Sequence, residues 1–140
     1  MPTNRAEIVI NADPQKVFDH LDTPETHFAV APSLTEMGHV EKKSGGGHDV
    51  EFTMRIHGVP LRGVVRIAEH DPPNRIGWNM EGELTYTLER EGGATKVTYV
   101  AEYANPMPVL KSVADPLISR YNQREVMSTL ANLKDRVEAI

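Results

Sequence analysis

Tyr86 and Tyr99 stand at equal distances on either side of the Gly92–Gly93 pair in TYTLEREGGATKVTYVAEY, residues 85–103, and Tyr103 continues the same alternation. A phenol with an ordinary pKa of about 10 is a poor base near neutrality and a good hydrogen-bond donor. Tyrosines sharing one face of a hairpin therefore suit the orientation of a carbonyl or hydroxyl better than proton abstraction. Asn122 adds an amide, and His27 is the one histidine carried forward as a candidate acid or base. Tyr86, Tyr99, His27 and Asn122 form the candidate catalytic set. The plain alternative for Tyr86 and Tyr99 is a cross-strand aromatic pair that stabilises the hairpin by ~0.5–1.5 kcal/mol beyond its burial. For His27 the plain alternative is a surface residue.

The elements that position these groups follow from period and punctuation. With Gly92 and Gly93 at the turn, Leu88 falls opposite Val97, Tyr86 opposite Tyr99 and Leu84 opposite Ala101, while Glu89 meets Lys96 and Thr87 meets Thr98 on the other side. A slip of one residue would turn the whole apolar set to water, so this agreement specifies register and faces together. Upstream, AEIVINA reads as a strand. DPQKVFDHL reads as a helix with Asp13 as N-cap, Pro14 at its first position and Val17, Phe18 and Leu21 on one face. Thr23 and Pro24 repeat the signal and predict a second short helix over about residues 24–30.

LTEMGHVEKKSGGGHDVEFTMRIHGV reads as strand, glycine turn, strand, with Val50, Phe52, Met54 and Ile56 alternating against polar residues. Two further strands flank a turn at residues 71–74, the second carrying Ile76, Trp78 and Met80 on one parity. From Asp115 and Pro116 to Ile140 no glycine or proline intervenes, which predicts one helix of about 25 residues, ~37 Å long. Val126, Leu130, Leu133, Val137 and Ile140 make its apolar stripe. Further back Ile118 lies at the edge of that stripe, and Ser119 and Asn122 fall on it. A buried amide without a partner costs ~1–3 kcal/mol, so water, a polar neighbour or a ligand should satisfy Asn122.

At 140 residues the chain is read as one domain, residues 1–140. A net charge of −5 and the lack of any Lys/Arg cluster with interleaved aromatics argue against a nucleic-acid partner. No stretch approaches the ~20 apolar residues of a membrane span, the amino terminus lacks a secretory signal, and a cytoplasmic location is expected. Cysteine is absent, which removes thiol catalysis and zinc-thiolate sites. The six histidines form no HxxxH or HExxH pair, so no metal is expected, and SGGGH is a hairpin turn rather than a phosphate loop because no Lys-Ser/Thr follows it. No cofactor is expected.

The order strand, two short helices, six strands, long helix resembles the SRPBCC superfamily. This is the START-like helix-grip fold, and it includes polyketide cyclase/dehydrase and lipid-transport-type domains. INADPQKVFDHL, DPPNRIGW, EREGGATKVTY and LANLKDRVE carry the resemblance, which covers essentially the whole chain. It implies an α+β fold in which a curved antiparallel sheet of about seven strands wraps around the C-terminal helix and encloses a cavity. An apolar small-molecule ligand, such as a lipid, polyketide or aromatic metabolite, is implied with it. The ligand-binding candidates are Phe52, Met54, Trp78, Met80, Tyr86, Tyr99, Tyr103, Ile118, Ser119, Asn122 and Val126. The inward strand positions hold no carboxylate, lysine or arginine, which ranks a binding module ahead of a cyclase/dehydrase-type enzyme. A protein-interaction or cochaperone-like role is the third reading. The sequence does not distinguish monomer from homodimer.

Overall fold

The computed structural model describes residues 3–56, 58–79, 82–103 and 115–139, and side chains within these segments apart from those of residues 56, 103 and 115–122. In chain order the elements are β1 (Thr3–Ile10), α1 (Pro14–Leu21), α2 (Pro24–Val30), β2 (Leu34–Lys42), β3 (His48–Ile56), β4 (Val59–Asp71), β5 (Arg75–Asn79), β6 (Gly82–Glu91), β7 (Ala94–Tyr103) and α3 (Asp115–Glu138). The strands form one antiparallel sheet in the order β1-β7-β6-β5-β4-β3-β2. β1 and β2, neighbours in sequence, are therefore its two opposite edges, and α1 and α2 carry the chain from one to the other.

The β6–β7 hairpin has the register its sequence dictates, with Leu88↔Val97, Tyr86↔Tyr99 and Leu84↔Ala101 on one face. Of the two turn glycines, Gly92 takes positive φ (62°) at the first central position, where a residue with a Cβ would be strained. α1 starts as expected, with the Asp13 carboxylate accepting from the Gln15 amide. α2 does not copy it. Thr23 makes no side-chain cap, because its hydroxyl donates back to the Asp19 carbonyl at 2.9 Å, and Pro24 and Glu25 are left to start the helix.

One irregularity changes which residues face inward. Between Ile67 and Glu69 the β4–β5 register shifts, so Ile67 pairs with Trp78 but His70 pairs with Ile76. The bulge moves the inward set of β4 from odd to even positions. The Asp49 carboxylate accepts from the freed Ile67 amide at 2.9 Å, and this accounts for an acidic residue that is almost wholly buried.

α3 is fastened along an edge of the sheet. Gln123 Nε2 donates to the Arg5 carbonyl at 3.0 Å and Lys134 Nζ to the Val9 carbonyl at 2.8 Å, while the Glu138 carboxylate accepts from the Asn11 amide at 2.8 Å. These bonds occupy backbone groups on the open side of β1 that would otherwise template another strand. Asn132 donates to the Val30 carbonyl at the end of α2, at 2.8 Å. Beneath them Val126, Leu130, Leu133 and Val137 pack with Ile10, Val17, Phe18, Leu21 and Val97 in one continuous core. Leu133→Ala empties a position with no exposed surface and is expected to cost ~2–5 kcal/mol in chemical denaturation. A loss below about 1 kcal/mol would mean that α3 is not seated as described.

Candidate functional site

Tyr86 and Tyr99, paired across β6 and β7, lie face to face with ring centroids 4.1 Å apart and planes 5° from parallel. Trp78, which shares the inward face of β5 with Ile76, meets Tyr86 edge-on at 6.1 Å. The crossing of α1 and α2 then brings in a residue from outside the sheet. The His27 ring stands edge-on to Trp78 at 4.6 Å and lies 6.2 Å from Tyr86. One aromatic run therefore extends from α2 through β5 and β6 to β7. The surface reading of His27 is overturned, since the turn from α1 into α2 points its ring at the sheet.

The His27 Nε2 sits 2.7 Å from the Leu21 carbonyl. A carbonyl can only accept, so the neutral ring carries its proton on Nε2 and leaves a lone pair on Nδ1. Burial pushes the pKa of His27 below its ordinary 6.5, against the smaller opposing effects of the Leu21 hydrogen bond and the nearby Asp22 carboxylate. The imidazole is therefore neutral at pH 7.

The inner face is least completely buried along β4. Leu61, Val65 and Ile67 share the face of Met54, Phe52 and Val50 through the β3–β4 pairing, yet they are only half-buried, as is Leu84 on β6. The sequence reading omitted these β4 residues, although their alternation with Arg62, Val64 and Arg66 was visible. Phe52 and Met54 flank them and are buried, and the Phe52 ring lies across Gly63, where even a Cβ would come within 2.8 Å of its Cζ. Val126 packs in the core with no exposed surface. Met80 and the side chains of Tyr103, Ile118, Ser119 and Asn122 fall outside the described residues.

Two polar pairs went unread in the sequence. His70, turned inward by the bulge, places Nε2 3.1 Å from Asp22 Oδ1 and its ring edge-on to Phe18 at 5.2 Å. The approach suits an ion pair when His70 is protonated, but its angles miss those of a hydrogen bond, and both atoms are occluded without one. Glu125 on α3 accepts from both the amide and the hydroxyl of Ser33, at 3.1 and 2.7 Å, tying the loop after α2 to the helix. Neither pair could be found without knowing the bulge or the helix docking. An open groove of about 630 Å³ between His20, Val30, Asn132 and Arg136 lies on the α1–α2–α3 side and shares no lining residue with the aromatic run.

A long C-terminal helix, an open antiparallel sheet and two helices joining its edges define a START-like helix-grip protein, with an aromatic and aliphatic inner face. The chain belongs to the polyketide cyclase/dehydrase and lipid transport family, whose model matches residues 1–138. Among solved structures it is similar to TTHA0849 from Thermus thermophilus, with 25% identity, a TM-score of 0.75 and 97% of each chain covered. A START superfamily protein from Mycobacterium smegmatis aligns with a TM-score of 0.79 at 12% identity over 97% of each chain. The di-domain ARO/CYC BexL from the BE-7585A biosynthetic pathway aligns with a TM-score of 0.70 at 18% identity, over 99% of this chain and 50% of that one. No curated protein sequence matches. Among the described residues no helix is long and apolar enough to cross a membrane.

His27 is expected to titrate below 6.5 with its proton on Nε2, as read from imidazole nitrogen shifts; a midpoint at or above 6.5 would contradict its burial. His20 shares the downward direction, from burial and from the neighbouring Arg136 and Lys16. Both folded-state values are depressed, so the stabilising contribution is complete above the unfolded value. It is lost as the pH falls from 6.5 through the folded values.

Proposed function

We propose that the protein binds an apolar, ring-bearing small molecule against the inner face of its sheet, between β4–β7 and α3. The carrying observation is that Leu61, Val65, Ile67 and Leu84 are only partly buried on an otherwise buried apolar face, beside the Trp78–Tyr86–Tyr99 run. Apolar side chains at the centre of a core are normally closed over, and accessible ones on a concave surface are the ordinary lining of a ligand site. The family description, which joins cyclases with lipid transport, supports the same reading. Burying ~300 Å² of apolar ligand would yield roughly 7.5 kcal/mol gross. Association costs take about 4 kcal/mol or more of it, so polar contacts must supply useful affinity and selectivity.

One observation favours a second reading, an enzyme of the cyclase/dehydrase type. The neutral imidazole of His27 lies beside Tyr86 as a candidate base, and the phenols can polarise a carbonyl. Tyr86→Phe and Tyr99→Phe separate the two readings: a binder loses several-fold in affinity, whereas an enzyme loses orders of magnitude in turnover.

An apolar fluorescent probe is expected to bind saturably at one site. Val65→Trp, which fills the open part of the wall, should weaken that binding at least about tenfold while leaving the denaturation midpoint close to that of the parent. Probe binding unaffected by this substitution, or no uptake by the parent protein, would count against the site.

A further inference from the structure

His27 is placed to do more than line the pocket. Its Nε2–H is committed to the Leu21 carbonyl at 2.7 Å, and the edge-on contact with Trp78 holds the ring in that orientation. The free lone pair on Nδ1 therefore has a fixed direction. Among the described residues nothing donates to it. The residue is itself only partly buried. The aromatic run thus ends in an acceptor that no described residue pairs, on a partly buried ring.

An acceptor in a mainly apolar site discriminates by what it is denied. A guest that presents an O–H or N–H pairs with it, whereas one that presents only an ether or carbonyl oxygen sets two lone pairs against each other and keeps water from the acceptor. We infer that His27 Nδ1 is the specificity-determining acceptor of the site, and that the pocket selects aromatic ligands bearing a hydroxyl hydrogen-bond donor over their methyl ethers. This rests on the binding reading above and assigns the ligand its polar handle.

The test uses 2-naphthol, 2-methoxynaphthalene and naphthalene, titrated calorimetrically at pH 7.5 into the full chain and into His27→Phe and His27→Gln. In the parent protein 2-naphthol should bind about three- to tenfold more tightly than 2-methoxynaphthalene, the range of one net hydrogen bond. His27→Phe should erase that ratio while still binding naphthalene. His27→Gln, which can present an amide oxygen, should restore part of it and guards against a phenylalanine variant that fails to fold. Equal affinities for the naphthol and its ether in the parent protein would overturn the inference and leave the binding reading standing. A naphthol preference that persists undiminished in both variants would overturn the assignment to His27. Failure of all three compounds to bind would overturn both.

Discussion

The architecture depends on where α3 is fastened. Gln123, Lys134 and Glu138 spend their polar groups on the backbone at the open side of β1, and Asn132 spends its own on the end of α2. Each such bond is worth only about 1 kcal/mol net, but together they fix the helix over the β1 end of the sheet, with Leu130, Leu133 and Val137 closing the core there. Had the same stripe lain squarely across the middle strands, the aliphatic side chains of β4 would be buried like the rest. They are only partly buried instead.

A second constraint is topological. Because β1 and β2 occupy opposite edges, the segment between them must traverse the molecule, and it does so as two short helices. Traversal places α2 beside the inner face and delivers His27 to Trp78. The carbonyl that accepts the His27 Nε2–H hydrogen bond belongs to Leu21, the last residue of α1, so the tautomer of the ring is set by the geometry of the turn between the helices. The imidazole beside Trp78 and Tyr86 therefore comes to the aromatic run from a helix.

Most of the fold was legible because local rules suffice for it. The β6–β7 register follows from the parity of Leu84, Tyr86 and Leu88 against Val97, Tyr99 and Ala101, and the start of α1 from Asp13 and Pro14. What escaped depends on non-local geometry. The bulge after Ile67 leaves no mark in the alternation of apolar residues, so His70 could not be assigned inward, and its meeting with Asp22 joins elements far apart in sequence. Glu125 could not be matched to Ser33 without the docking of α3 on α2. The Tyr86–Tyr99 pairing was read correctly, and Val126 takes a place in the core. Leu61, Val65 and Ile67 were legible by parity and were overlooked.

The central claim is that a guest lies against β4 and β6 on the inner face. Methyl-resolved NMR during addition of an apolar aromatic compound tests it most directly. The account predicts that intermolecular contacts and the largest shifts fall on Leu61, Val65, Ile67 and Leu84. Contacts confined to the exposed Val9, Met37 and Met127, with the β4 methyls unmoved, would contradict it.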